Sequence, residues 1–467
     1  MEMRVEKDSM GEFQVPGNAY WGVQTARAVK NFPISGLGFQ PDFFWALAQI
    51  KYAAAKANHE LGKLDPKRTE AILKAAEEVI AGKFNDQFVV DVYQAGAGTS
   101  THMNMNEVIA NRANEILGAP KGSYKELNPN DHVNLGQSTN DVIPTTLRVS
   151  ALRLTKKLLL ELEALAAAFH QKACEFYPIV KSGRTHLQDA TPVRLGQEFG
   201  AYADCLKGWG RRIGQASQDL EWLGIGGSAT GTGLNTHPQY REKLIAVLAQ
   251  RTGFSLKPSP NLFEAMQSMA PFAHLSHAVR GAALDLIRIC NDLRLLSSGP
   301  RTGLAEIILP PVQPGSSIMP GKVNPVLPEM MNMICFQVVG HDATVAIASQ
   351  AGQLELNVMM PVIGYNLLQM LEIFRTGCNA LRVRCVEGIH VDKERCRWYA
   401  EQTLGLATAL NPYIGYLKAA EVAKESHQSG RTVREVMIEK KVLTEKELQE
   451  RLSPENLTEP RDVIQKA

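Results

Sequence analysis

Long apolar runs, blocks of like charge and paired cysteines are all missing from this sequence. No stretch reaches about 18 apolar residues without a charge, so no transmembrane helix is predicted. Lysine plus arginine (50) nearly balances aspartate plus glutamate (48), which argues against a nucleic-acid or membrane-surface partner. The seven cysteines are scattered without a CxxC pair, and the first residues lack the features of a secretory signal. We therefore expect a soluble protein of the reducing cytoplasm.

Metal and nucleotide motifs are absent as well. The sequence contains no HExxH, EF-hand or DxD pattern. The glycine-rich run Gly96–Ser100 is neither a Walker loop nor a GxGxxG fingerprint. His274 and His277 stand three residues apart without a further ligand, and we interpret them as histidines of a helix bundle. Neither a protein-bound metal nor a cofactor is predicted.

Helical periodicity dominates the middle of the 467-residue chain. Apolar residues at three-and-four spacing predict a helix over 145–176 that starts beside Pro144. Several such patterns approach 30 residues, or about 45 Å, which is typical of bundles. The one over 354–386 is apolar nearly all round, so we expect neighbouring subunits to bury it. Further helices are expected over 43–61, 67–81, 195–223, 263–296 and 328–349, with a loop over 94–106.

Differences in composition and helical pattern along the chain predict three domains of a mainly helical protein. Residues 1–138 form a mixed, mostly helical domain, and residues 139–395 form the long-helix bundle. Residues 396–467 form a small helical domain. Within it, Thr444 and Glu447 are spaced as a capping box that opens a helix.

Polar residues concentrate in the segment Gly315–Asn324, GSSIMPGKVN. Its glycines and prolines predict a loop rather than a helix or strand. Lys322 supplies a point charge for a carboxylate, and Asn324 adds a directional donor. Backbone amides of a Gly-Ser-Ser turn can form a small anion-binding concavity. An ordinary surface loop has the same composition and remains an alternative.

Three other segments could join this loop in one site. In Gly183–Asp189, His186 could shuttle a proton or bind substrate, although it could also simply cap a helix. Gln137–Asp141 precedes a long helix, where it could bind an anion or act as a plain N-cap. The glycines of Gly96–Ser100 would let a backbone approach a ligand closely.

Taken together, these segments resemble the signature stretches of the fumarase/aspartase superfamily of lyases. The matching stretches occur in order along the whole chain: QSTND, GRTHLQDATP, GTGLN, SGPRTGLAEI and GSSIMPGKVNP. The resemblance implies a three-domain, mainly α fumarase/aspartase fold. Long helices of four subunits would form one twenty-helix core in a homotetramer. Each active site would be shared among three subunits and would take a small dicarboxylate.

The resemblance also implies roles for individual residues. Ser316 is the expected base, which removes a proton beside a carboxylate and leaves an aci-carboxylate dianion. Lys322 and Asn324 would stabilise the dianion, and Glu329 would pair with His186 and set its charge. Met319 would pack on the substrate. Other residues would surround the carboxylates and the leaving group: Thr99, Ser138, Thr139, Asn140, Thr185 and His186.

Local residues favour the aspartate ammonia-lyase branch over the class II fumarases. Asn128 stands where fumarases usually have His, and Thr139 stands where they usually have a second Ser. Two positions depart from the pattern, because His102 replaces a usual Asn and Met360 replaces the Glu usual in aspartases. Class II fumarase is the alternative, supported by the fumarase-like GLNTHPQY over 233–240. A non-catalytic homologue, like the lens crystallins, is a remote alternative because the key residues around Ser316 are all present.

Overall fold

The computed structural model describes residues 2–460 and is mainly helical. Helices α1–α17 are, in order, Val23–Asn31, Pro41–Glu60, Pro66–Ile80, Thr99–Ile116, Thr139–Phe176, Leu195–Ser217, Tyr240–Thr252, Leu262–Gln267, Ala270–Leu296, Val326–Gln350, Met360–Arg384, Lys393–Gln402, Leu406–Ile414, Tyr416–Ser429, Val433–Glu439, Glu445–Arg451 and Pro454–Thr458. Strands β1–β8 are Met3–Asp8, Gly11–Pro16, Val180–Thr185, Gln188–Arg194, Trp222–Leu223, Lys257–Pro258, Ile307–Ile308 and His390–Val391. The strands pair only in twos within the described residues, so helices carry the architecture.

The chain divides into two compact units. Unit 1 contains Met1–Leu160, Trp209–Leu284 and Ile334–Arg375, and unit 2 contains Glu161–Gly208, Asp285–Met333 and Thr376–Ala467. The three domains expected from the sequence stay a prediction. Met1 of the first expected domain and residues 461–467 of the third lie outside the described residues.

Several predicted elements are confirmed, with corrected ends. Helices α2 and α3 match the expected helices over 43–61 and 67–81. Helix α5 begins at Thr139, so the predicted start beside Pro144 is wrong. The polar residues before Pro144 are themselves helical, because the Asp141 carboxylate accepts the Ser138 N–H and closes the first turn.

Other expectations are wrong because tertiary contacts override local composition. The loop expected over 94–106 ends at Thr99, where α4 begins. Asn104 lies inside that helix, fully buried, and bonds the backbone at Gln87 and Val89. The remaining differences concern helix bounds: the expected 263–296 helix is split into α8 and α9, the 195–223 helix ends at Ser217, and the 354–386 helix begins at Met360.

The core of unit 1 surrounds α2, whose buried face is rich in alanine. Ala46, Ala53 and Ala54 are fully buried where α2 packs on α3 and α7. Small side chains allow the helix axes to approach closely. In the same unit, a Cβ atom on Gly364 of α11 would lie 2.3 Å from a Leu147 methyl group of α5, so a larger residue there would force the Leu147 side chain to move. This packing encloses Lys51, which is fully buried in α2.

Unit 2 contains the β3–β4 hairpin and the C-terminal helices. Glu306, fully buried, pairs with Lys181 at 3.2 Å and with Arg184 at 3.0 Å, both on β3. These ion pairs connect β3 to the buried Glu306 carboxylate. The predicted capping box at Thr444 and Glu447 is confirmed at the start of α16. No helix within residues 2–460 is long and apolar enough to span a membrane.

Candidate active site

Ser316 lies in a loop that is closed by its own backbone. The Gly315 N–H donates to the Lys322 carbonyl at 2.8 Å, and the Asn324 side-chain amide donates to the Gly315 carbonyl at 2.6 Å. A Cβ atom on Gly315 would stand 2.4 Å from the Lys322 carbonyl oxygen, so glycine is required at this closure. The loop, including Met319, lines a cleft of ≈ 500 Å³ together with residues 311–314, which precede it.

The Ser316 hydroxyl oxygen is an acceptor in this loop. Backbone N–H groups donate to Oγ from Met319 at 2.9 Å and from Ile318 at 3.2 Å. Two such donors favour negative charge on the oxygen, because an alkoxide is the better acceptor. The arrangement therefore suits a serine that must act as a base. Lys322 is exposed on the same loop, where its ammonium adds a positive charge.

His186 occupies the turn of a tight hairpin. Thr185 of β3 pairs with Gln188 of β4, so His186 and Leu187 alone form the connection. Their φ angles are 56° and 59°, the left-handed values that a two-residue turn of this kind requires. Such values are unfavourable for residues other than glycine and recur at functional sites. The turn leaves Thr185 and His186 exposed at the tip of the hairpin.

Thr99 is the first residue of α4. The preceding backbone is left-handed at Ala97 and Gly98, and the Ala97 N–H donates to the Val358 carbonyl at 2.8 Å. No acidic residue lies in the first turn, and Thr99 is exposed. The Thr101 N–H donates to Gln94 Oε1 at 2.9 Å. This helix end is suited to an anion.

Ser138, Thr139 and Asn140 are half-exposed around the first turn of α5. The next residue, Asp141, is fully buried and accepts N–H groups from Ser138, Gly226 and Ser228, each at 3.0 Å. Burial outweighs these donors and raises the pKa of Asp141 to about 6. Asp141 thus ties the glycine-rich loop at 226–228 to the start of α5. Sequence reasoning did not single out this role.

A buried lysine and histidine lie behind Thr139. The His102 ring on α4 places Nδ1 2.8 Å from Thr139 Oγ1, and its Nε2 lies 2.7 Å from Lys51 Nζ. Burial lowers the pKa of both Lys51 and His102 well below their usual ranges. Two signals in the sequence could have found this pair. One is the lone lysine in the apolar run at 43–55, and the other is His102 in place of a usual Asn.

The predicted site residues divide between the two units. In unit 2, one loop holds Ser316, Met319, Lys322 and Asn324, the hairpin holds Thr185 and His186, and Glu329 lies in the first turn of α10. In unit 1, helix starts hold Thr99, Ser138, Thr139 and Asn140. No hydrogen bond or ion pair joins His186 to Glu329 within residues 2–460 of one chain, so that pairing stays a prediction.

Asn128 and the bundle histidines have structural partners. Asn128 Oδ1 accepts the N–H groups of Asn130 at 2.8 Å and Asp131 at 3.2 Å, capping the short helical turn Pro129–Val133. His274 lies 2.9 Å from Asp219, and His277 lies 3.2 Å from Asp342. Across the described part of the chain, no three His, Cys, Asp or Glu side chains are grouped so that they could hold a metal ion.

Comparison with known proteins places this chain in a family. The family model described as "Lyase" matches residues 11–340, and the model "Fumarase C C-terminus" matches residues 406–459. An aspartate ammonia-lyase of Bacillus subtilis is 48% identical, over 98% of this chain and 97% of the relative. A class II fumarate hydratase of Neisseria meningitidis is 46% identical, over 99% of this chain and all of the relative.

A solved structure agrees with the sequence relatives. The cobalt-bound fumarate lyase:delta crystallin of Brucella melitensis superposes with a TM-score of 0.95 at 47% identity, covering 98% of this chain and all of the other. The family models together cover most of the chain, and the relatives match it over nearly its full length. The chain therefore belongs to the fumarase/aspartase superfamily of lyases.

Proposed function

We propose that this protein is an aspartate ammonia-lyase, a carbon–nitrogen lyase that converts L-aspartate reversibly to fumarate and ammonia. The observation that carries the chemistry is the Ser316 oxygen, which accepts two backbone N–H groups in the loop that also carries Lys322. The full-length relatives named aspartate ammonia-lyase support the choice of substrate.

The reaction begins at the carbon next to the side-chain carboxylate of aspartate. Ser316, as an alkoxide, takes a proton from this carbon and becomes a hydroxyl. The electron pair moves into the carboxylate, and Lys322 and Asn324 stabilise the resulting dianion by charge and hydrogen bonding. The pair then forms the double bond of fumarate as the neighbouring C–N bond breaks and ammonia leaves. Closure of the glycine-containing loop over the substrate would exclude water.

The residues at the helix starts of unit 1 would bind the substrate. Thr99, Ser138, Thr139 and Asn140 present hydroxyl and amide groups at two helix N-termini, where carboxylates are favoured. Thr185 and His186 would complete the site from the tip of the hairpin, and Met319 would pack on the substrate. Glu329 would pair with His186.

We also propose a homotetramer whose active sites are each shared among three subunits. Met333, Phe336 and Ile347 of α10 follow one helical face and are exposed by 64%, 60% and 67% in the single chain. A row of large apolar side chains on a long helix marks an interaction surface. The scattered cysteines, none of them in a CxxC pair, support a cytoplasmic location.

The substrate assignment is tested by following fumarate absorbance in the ultraviolet with L-aspartate and with L-malate. We expect fumarate and ammonia from L-aspartate and no fumarate from L-malate. Class II fumarase is the second candidate, because the Neisseria meningitidis relative is 46% identical over its whole length. The reverse result would establish that candidate, and no signal from either substrate would favour a non-catalytic homologue.

The base is tested by Ser316→Ala. We expect kcat to fall by about 10³-fold or more, because the proton acceptor is lost, while the tetramer stays intact by sedimentation. Ser317→Ala is the matched control, since it removes the adjacent hydroxyl and keeps every backbone N–H of the loop. Full activity of Ser316→Ala would show that another group is the base.

A further inference from the structure

A chain of hydrogen bonds runs from the interior of unit 1 to Thr139. Lys51 and His102 are exposed by 0% and 1%, and they come from different helices, α2 and α4. Lys51 Nζ lies 2.7 Å from His102 Nε2, and His102 Nδ1 lies 2.8 Å from Thr139 Oγ1. Both ring nitrogens are therefore engaged, and the chain ends at a half-exposed hydroxyl.

The surroundings of Lys51 set the direction of these bonds. Besides His102, its Nζ lies 2.8 Å from Gln137 Oε1 and 3.1 Å from Asn134 Oδ1. Three acceptors match the three N–H groups of an ammonium, whereas a neutral amine has only two. The negative charge of Asp141 further favours the ammonium, against the opposing effect of burial on the Lys51 pKa.

An ammonium at Lys51 fixes the tautomer of His102. Burial and the Lys51 charge lower the pKa of His102, so the ring is neutral and carries one proton. Because Nε2 accepts from Lys51, that proton is on Nδ1 and is donated to Thr139 Oγ1. A threonine hydroxyl has one hydrogen. Since His102 does not accept it, this hydrogen is available to a ligand.

We propose that Lys51 and His102 are positioning residues that orient the Thr139 hydroxyl to donate to a substrate carboxylate. If the hydrogen bonds ran in the opposite direction, a neutral Lys51 would accept from His102 Nε2–H, and Thr139 would donate to His102 Nδ1. Thr139 would then offer only lone pairs, which suit an ammonium group. The inference rests on the proposed function, because that function places Thr139 beside the substrate.

The test is His102→Leu, which interrupts the chain without adding charge. We expect the KM for L-aspartate and the dissociation constant of succinate, measured by calorimetry, each to rise about ten-fold, as for one hydrogen bond to a charged group. The value of kcat should change little. Succinate carries both carboxylates but no amine, so it reports on carboxylate binding alone.

Two variants control for structural damage. His102→Asn should recover most of the binding, because Oδ1 can accept from Lys51 while Nδ2–H donates to Thr139. His341→Leu removes another buried histidine of unit 1, one that bonds Asn366 at 2.6 Å, and should leave both constants unchanged. If His102→Leu fails to fold by thermal melting, Thr139→Val, which removes the oriented hydroxyl itself, should weaken succinate binding to the same extent.

Each other outcome has a defined meaning. Weaker binding of L-aspartate with unchanged succinate binding would assign Thr139 to the ammonium and overturn the proposed direction. Unchanged binding of both in Thr139→Val, or no succinate binding to the unsubstituted protein, would also overturn it. If that protein made no fumarate from L-aspartate but His102→Leu still weakened succinate binding, the proposed function would fail while the positioning role stood.

Discussion

Asp141 is a carboxylate that the folded chain holds away from water at the start of α5. It accepts three backbone N–H groups, yet burial raises its pKa from the usual 3.8 to about 6. Because its folded pKa lies above its unfolded pKa, its stabilising contribution is complete below pH 4 and is lost as pH rises through 6. A pKa difference of about two units corresponds to a loss of about 3 kcal/mol in the free energy of unfolding.

The direction of this pH dependence gives a prediction for the variant Asp141→Asn. The melting temperature of the variant should be lower than that of the unsubstituted protein, since an amide nitrogen would face N–H donors. The difference should be largest near pH 4.5 and shrink toward pH 7.5, as the carboxylate of the unsubstituted protein becomes charged. Thermal denaturation across this range measures it, with the exposed Asp131→Asn as control. A difference that grows with pH would contradict the assignment.

Among the helices, the short C-terminal ones depend on their caps. At the start of α16, the Thr444 hydroxyl accepts the Glu447 N–H, and the Glu447 carboxylate accepts the Thr444 N–H at 2.9 Å. A helix of seven residues gains little from propensity alone, so the cap and the buried Leu448 hold it in place.

Thr444→Ala should therefore destabilise the C-terminal helices by about 1 kcal/mol. Faster hydrogen exchange at the amides of α16 would report this loss. Thr408→Ala is a suitable control, because Thr408 is exposed inside α13, where alanine favours the helix. Equal exchange in the two variants would show that the cap contributes nothing.

At the scale of the whole molecule, we propose that the apolar face of α10 forms a subunit interface. Phe336 is 60% exposed in the single chain, and a charge there could not be buried against another subunit without a large cost. Because the proposed tetramer would share its active sites among subunits, Phe336→Asp should shift the protein toward smaller species in sedimentation and abolish activity. Leu417→Asp on α14 is the matched control, at a position exposed by 78%. A fully active Phe336→Asp tetramer would remove α10 from the interface.

Much of the helical content could be predicted from the sequence because helices repeat locally. Apolar spacing located α2 and α3 to within about two residues. The predicted helix boundaries were wrong where contacts with residues distant in sequence determine them. Thr99 begins a helix in a segment whose glycines and asparagines predicted a loop, because the interior of unit 1 provides partners for Asn104.

The sequence by itself determined which segments we expect to form the site, since the residues of each motif around Ser316, His186 and Thr139 are contiguous. Only the tertiary structure decided the hydrogen bonds and backbone conformations that orient those residues. The two donors on Ser316, the left-handed turn under His186 and the chain from Lys51 to Thr139 depend on backbone geometry or on segments far apart in sequence. Hydrogen bonds between distant segments leave no periodic pattern, so the folded chain alone reveals them.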